Sequence, residues 1–382
     1  MFTYEMPTKL YFGKGCVAQS VADMAALGKK ALIVTGRNSA KRNGSQDAVV
    51  AVLESAGLGW VLFDEVEANP SVEIVRNGAE LGRKEQVDFV IGIGGGSPMD
   101  AAKVIALLCT NDLDDEMLFT GPYGAPPLPI VTVPTTSGTG SEVTKISILT
   151  NHKAGTKQGV KSPMLYPKLS LADPSFTMGV PEHVTIDTAI DALSHAIEGY
   201  MAKDATPVSD VWAEEALRFF GLHLTQLRGT LSYAVREDLM YASTLAGIVI
   251  SQAGTTLVHG MGYCLTYYRG FSHGRANGLL LPQYMKLMEE SMADKAQRVW
   301  ELLGFAGSDD FEAFMKDLMP DTVTLSEEEI EKFTTMVMKT ASVKATSYDV
   351  TAGVVARIYG VMGGAKDYGY MRNHKRRCIA VY

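Results

Sequence analysis

The 382-residue chain carries 43 acidic against 35 basic residues, a formal charge of −8 at pH 7. That balance argues against broad binding to nucleic acid or to an anionic membrane surface. Two domains are expected at this length, and 46% hydrophobic with 20% charged residues is the composition of an ordinary soluble globular protein.

The start, MFTYEMPTKLYFG, has no basic segment followed by an apolar run. The longest apolar stretch, STLAGIVIS at 243–251, is far too short for a membrane span. Cys16, Cys109, Cys264 and Cys378 are scattered, with no C-x-x-C. Free thiols in a reducing, cytoplasmic setting are the expectation.

In chain order, strands are expected at 30–36 (KALIVTG), 60–66 (WVLFDEV), 88–96 (DFVIGIGGG) and 128–134 (LPIVTVP). Helical spacing falls between them, at 45–57, 72–86 and 98–109. The alternation predicts a mostly parallel sheet with helices on its faces. The character changes at DPSFTMGVPEHV (173–184), after which helical patterns dominate at 183–200, 206–222, 233–252, 278–290, 326–341 and 347–360. This predicts an α/β domain over 1–178 and an all-helical domain over 179–382, divided at Met178. There is no internal repeat. The tail GGAKDYGYMRNHKRRCIAVY (363–382) is basic and reads as a surface extension.

Two loops stand at the carboxyl ends of expected strands. GGGSPMDAAK (94–103) joins a strand to a helix start, where backbone N–H groups and the helix dipole suit an anion and the Ser97 hydroxyl adds a donor. A tight turn that merely needs glycine is the other reading. It is neither G-x-G-x-x-G nor a Walker loop, since serine replaces the third glycine and no G-K-[ST] follows. VPTTSGTGSEVT (133–144) crowds hydroxyls among glycines. Two such loops together suggest one ligand crevice.

The helical half holds a different set. In AIDALSHAIEGY (189–200), Asp191 and His195 are one turn apart and share a helix face. Glu198 lies on nearly the same face and competes with Asp191 as the carboxylate. His259 lies in GTTLVHGMGYCL and His273 in FSHGRANGLLLP, each followed by glycine. Three imidazoles and one carboxylate suit Fe²⁺ or Zn²⁺. Scattered core histidines are the alternative.

Taken in this order, the motifs resemble the iron-containing (group III) alcohol dehydrogenase family, over YFGKG (11–15) to about residue 360. The resemblance implies a dinucleotide-binding α/β domain, an all-helical metal-binding domain and an active site in the cleft between them. Dehydroquinate synthase shares that general architecture. Asp191, His195, His259 and His273 would then be the catalytic metal ligands, with Glu198 a residue behind them or on the surface. Gly95, Gly96 and Ser97 would hold the pyrophosphate, and Thr135, Thr136 and Thr139 would line the cofactor. Lys157 would lie near its ribose and phosphates, Asn69 near the adenosine end and Asp100 on the nicotinamide side.

Two departures matter. Many NAD-using members carry an aspartate where ALIVTGRNSAK has Gly36. Its loss removes repulsion of a 2′-phosphate, which Arg37, Ser39 and Lys41 would bind. NADP(H) is therefore expected over NAD(H), as in butanol dehydrogenase-like members. Tyr263 replaces a histidine with a proton-relay role; tyrosine is a poor base near neutral pH and reads as a pocket wall. The expected function is hydride transfer between NADP(H) and a small alcohol or aldehyde, in a homodimer or larger assembly. A polyol or hydroxy-acid dehydrogenase, and a dehydroquinate-synthase-like lyase using Arg269 and Arg275, are the alternatives. A nucleotide-binding sensor without chemistry ranks below them.

Overall fold

The computed structural model describes residues 1–362. The basic tail, with His374 and Cys378, lies outside the described residues. The first half runs β1 (Lys9–Phe12), α1 (Val21–Ala25), β2 (Lys30–Thr35), α2 (Ser39–Arg42), α3 (Ser45–Ser55), β3 (Gly59–Phe63), α4 (Val72–Lys84), β4 (Phe89–Gly94), α5 (Gly96–Thr110), α6 (Asp115–Thr120), β5 (Ile130–Pro134), β6 (Ile146–Asn151), β7 (Thr156–Lys161) and β8 (Leu169–Ala172). The second half is helical: α7 (Glu182–Met201), α8 (Pro207–His223), α9 (Tyr233–Ala253), α10 (Leu257–Arg269), α11 (His273–Ser291), α12 (Ala293–Leu303), α13 (Ser308–Leu318), α14 (Glu327–Val337), α15 (Ala341–Ala345) and α16 (Ala352–Val361).

β2, β4 and β5 are buried along almost every residue. A strand covered on both faces reads as an unbroken apolar run, which is why these three stand out in the sequence. They form the middle of a six-stranded sheet of order β1-β8-β5-β4-β2-β3, with every neighbouring pair parallel. Apolar clusters lie on each face. The strand order reverses between β2 and β4, because β3 pairs outward of β2. Ligands of such sheets bind outside the carboxyl ends at that point. The loops after β2, β4 and β5 all open there.

The structure departs from the sequence reading in several places. β1, β8 and the antiparallel hairpin β6–β7 were not expected. α12 and α13 lie where no helix was assigned. Helix α5 starts at Gly96, so Gly96 and Ser97 occupy its first turn rather than the loop before it. Helix α11 starts at His273, well before the expected 278.

The helices enclose one large apolar cluster, and Val143 from the loop after β5 belongs to it. Nearby, the Thr244 hydroxyl of α9 donates to buried Glu142 at 2.9 Å. The second loop is thus anchored on the helical half. Among the described residues, no helix is long and apolar enough to cross a membrane.

Candidate metal and cofactor site

Helix α7 carries Asp191, His195 and Glu198 along its inner side, all buried. Helix α10 brings His259 and α11 brings His273. One ligand atom each of Asp191, His195 and His259 falls within 4.8 Å of the others. His195 Nε2 faces His259 Nε2 at 2.9 Å. Asp191 Oδ1 lies 3.8 Å from His259 Nε2 and 3.7 Å from His273 Nε2. The four residues read from the sequence as ligands therefore converge, with His273 partly open to the cleft.

Glycine explains how α11 comes so near. A Cβ on Gly274 would stand 1.8 Å from the Asp187 carbonyl oxygen of α7 and 3.1 Å from Asp191 Cβ. Only a residue without a side chain lets the two backbones meet there.

Burial pulls His195 down to about 4, and pulls His273 well below its ordinary value. Burial also acts against a charge on His259, but the charge and hydrogen bond of Glu198 prevail and its pKa is raised. Imidazoles whose Nε2 atoms face one another, with a carboxylate beside them, are the donor set a divalent first-row cation takes. The residues fit such an ion.

Two residues around the cluster complete it. Glu198 is wholly buried, which removes the surface reading. It turns away from the cluster, behind His259, and accepts a bond from His259 Nδ1. Asn277 was not singled out. Its Nδ2 donates to Asp191 Oδ1 at 2.8 Å and lies 3.2 Å from His259 Nε2 and 3.4 Å from His273 Nε2. Its spacing of four from His273 on α11 was the available signal.

The other wall of the cleft comes from the sheet. The Asn69 N–H donates to Ser97 Oγ at 3.1 Å, and Lys157 Nζ donates to Asn69 Oδ1 at 3.0 Å. Asn69 adopts a left-handed φ of 57°, fixed further by the Thr150 hydroxyl on its carbonyl. Thr135 N–H donates to the Gly94 carbonyl, and Thr136 lies against Gly95. Thr139 packs so tightly on Gly96 that a Cβ there would meet its Cγ2 at 2.5 Å.

Asp100 is already engaged: Ser141 Oγ donates to one oxygen at 2.6 Å and the Ile148 N–H to the other at 2.9 Å. Fully buried Lys103, one turn later, donates to Ser141 Oγ, Thr144 Oγ1 and the Ile146 carbonyl. Burial pushes Lys103 down to about 8, against the pull of Asp100 and Glu142. These contacts tie α5 to the loop after β5 and to β6.

A cavity of about 180 Å³ joins the walls, with Asn69, Ser97, Asp100, Thr139 and Lys157 on one side and Asp191, His195, His259, Tyr263 and His273 on the other. Tyr263 stacks on His273 with centroids 5.5 Å apart, and Lys157 Nζ lies 5.4 Å from the centre of its ring. Burial raises the Tyr263 pKa further, so the phenol stays protonated. Gly36 and Ser39 lie apart, beyond the end of β2, and do not line this cavity. Arg37 and Ser39 are exposed, whereas Lys41 pairs with Asp47. A larger cavity, about 310 Å³, lies between α11 and α13 and contains none of these groups.

A dinucleotide-type sheet crevice facing a buried cluster of histidines is the setting of a metal- and nucleotide-dependent enzyme. Residues 7–174 match the family model described as iron-containing alcohol dehydrogenase, and residues 185–359 match the C-terminal model of the Fe-containing alcohol dehydrogenase family. The chain belongs to the iron-containing alcohol dehydrogenase family. It is 37% identical over 310 residues to a 1,3-propanediol dehydrogenase of Citrobacter freundii, covering 80% of each chain. To an NADPH-dependent butanol dehydrogenase of Clostridium saccharobutylicum it is 33% identical over 318 residues, 81% of this chain and 79% of that one. The iron-containing alcohol dehydrogenase of Thermotoga maritima superposes with a TM-score of 0.90 at 38% identity, over 96% of this chain and all of that one.

Proposed function

We propose that the chain interconverts a short alcohol and its aldehyde with NADP(H), and that Asp191, His195, His259 and His273 hold a divalent iron. The convergence of these four side chains at one end of a cleft, opposite a glycine loop, carries this reading. Iron bound there supplies Lewis acidity toward an alcohol or carbonyl oxygen. NADP(H) supplies or accepts the hydride.

The chain's own groups do the rest. The backbone of Gly95, Gly96 and Ser97, at the start of α5, binds the pyrophosphate. Thr135, Thr136 and Thr139 shape the cofactor channel. Lys157 adds a positive charge between Asn69 and Tyr263, where ribose or phosphate oxygens are to be held. Asp100, on the cavity wall, acts by fixing Ser141 and β6. Tyr263 is a wall stacked on His273, not a base. Gly36 leaves room for a 2′-phosphate beside exposed Arg37 and Ser39.

The reading is tested by NADPH oxidation with butanal, run anaerobically on chelated protein before and after Fe²⁺ is added. Activity that appears only with iron is the expected result. Folded, iron-loaded protein without activity on any short aldehyde would reject it. Comparing kcat/KM for NADP⁺ and NAD⁺ tests the cofactor choice, and a higher value with NAD⁺ rejects it. A short diol is the second substrate to try, given the propanediol relative. The lyase reading loses its basic residues, because Arg269 pairs with Glu329 and Arg275 bridges Asp187 and Asp321.

We also place the domain division at Met178, between β8 and α7. The unpaired Cys16, Cys109 and Cys264 support a reducing, cytoplasmic setting. A homodimer or larger assembly is testable by sedimentation.

A further inference from the structure

We infer that Glu198 is a positioning residue for the metal: it fixes the His259 ring so that Nε2 presents its lone pair to the cluster. The inference deepens the proposed ligand set and rests on it.

The geometry is specific. One oxygen of Glu198 accepts from the Thr256 N–H and the Thr256 hydroxyl, both at 2.8 Å. The other accepts from His259 Nδ1. Glu198 and Thr256 are fully buried, as is Tyr284, whose hydroxyl stands 3.0 Å from Thr256 Oγ1. Thr256 has one hydroxyl proton, and it goes to Glu198. Tyr284 must therefore donate to Thr256. Every hydrogen in the chain then points toward the carboxylate, and an ionised carboxylate can only accept. When Nε2 gives its lone pair to a cation, the proton that stays on the His259 ring is the one on Nδ1, held by Glu198. The ring's Nε2 is left free, facing His195 Nε2.

A carboxylate behind a metal-binding imidazole orients the ring and makes it a better donor, and losing such a partner commonly weakens metal binding about 10- to 100-fold. Glu198 has a second job, because its bonds to Thr256 also cap the start of α10. A purely structural role would rest on that cap alone. The two jobs separate by substitution. Glu198→Gln keeps the shape but cannot accept from both Thr256 and Nδ1 without a donor meeting a donor. Thr256→Val removes one bond of the cap and leaves the Glu198–Nδ1 contact in place.

The test is an anaerobic Fe²⁺ titration against a chromophoric chelator. It compares native protein with the Glu198→Gln, Thr256→Val and His259→Ala variants, and thermal melting of each metal-free protein is followed alongside. Glu198→Gln should bind iron about 10- to 100-fold more weakly than native. Thr256→Val should melt earlier yet bind iron within about twofold of native, since the ring's partner is intact. Equal iron affinity in native and Glu198→Gln protein overturns the inference. So does an equal loss in Thr256→Val, which would assign the effect to the helix cap. Native protein that takes up no iron, or a His259→Ala variant that binds as tightly as native, overturns the ligand set itself. Nitrogen-15 NMR of the metal-free native protein tests the tautomer without any variant. A proton on Nδ1, whether or not Nε2 also carries one, supports the assignment, and a ring protonated on Nε2 alone rejects it.

Discussion

The two walls of the cleft solve the same problem with different materials. On the sheet side, the cleft is faced by short polar side chains, among them Asn69, Ser97, Asp100 and Thr139, with Lys157 the long cationic one. Residue identity matters there because side chains must be absent, as at Gly96 beneath Thr139. On the helical side, the groups are long side chains held on three rigid helices, and identity matters because nitrogen and oxygen must be present. The first wall suits a large polyanion met by many weak donors. The second suits a small cation met by few strong ones. The two walls should therefore fail separately.

The largest separation is expected for His259→Ala. It removes the ring that contacts His195 and lies near Asp191. Lewis-acid assistance is worth several kcal/mol. At about 1.4 kcal/mol per tenfold, turnover should fall by on the order of 10³. NADP(H) binding, followed by fluorescence titration, should stay within about threefold of native. Full activity in protein shown to be metal-free would break the division between the walls.

Lys103→Met probes the opposite wall. It leaves Asp100 and Glu142 in a buried setting without the cation between them, a change that costs about 3–5 kcal/mol. The denaturation midpoint should fall accordingly, and KM for the cofactor should rise while iron affinity holds. An unchanged midpoint would show that the buried lysine is not what ties α5 to the second loop.

What could be read from the sequence follows the same division. β2, β4 and β5 were legible because both faces are covered, and Asp191 with His195 because helical spacing puts them on one side. The hairpin β6–β7 was hidden because its second strand, TKQGVK, is mostly polar and its two buried residues, Lys157 and Val160, are three apart, off the two-residue period of a strand. β1 was hidden because KLYF is short and lies at the sheet edge, half exposed. Glu198 was placed near the right face, but spacing along α7 cannot say which neighbouring helix a side chain meets. Its role depends on α10, 58 residues away at Thr256. Lys103 leaves a trace in the sequence: a lone lysine in AAKVIALL, where every neighbour is apolar and buried. The Gly36 and Ser39 site stays apart from the cavity, so it rests on the resemblance and on exposure alone.

A smaller effect is expected from Gly96→Ala. The new methyl would meet Thr139 Cγ2 at 2.5 Å and Oγ1 at 2.9 Å. The two loops must then separate where the pyrophosphate is to lie. Overpacking of this kind costs about 1–3 kcal/mol, so the cofactor KM should rise about tenfold with iron content unchanged. Adding Thr139→Ala removes the clashing groups and should recover part of the loss. If the double variant is no better than the single one, the contact between the loops is not the cause.

The smallest expected effect separates the two cofactors rather than the two walls. Gly36 lies at the end of β2, and a Cβ there has one close neighbour, the Val66 carbonyl oxygen at 3.3 Å. Gly36→Asp should therefore fold. The new carboxylate accepts from a ribose 2′-hydroxyl and repels a 2′-phosphate. Because the position is near the surface, solvent limits the repulsion, and a change of about threefold in the ratio of kcat/KM for NADP⁺ and NAD⁺ is expected. The shift should appear almost wholly in the KM values, because the 2′-position takes no part in hydride transfer. A fall in kcat for both cofactors would mean that the loop after β2 reaches the metal wall, against the independence of the two.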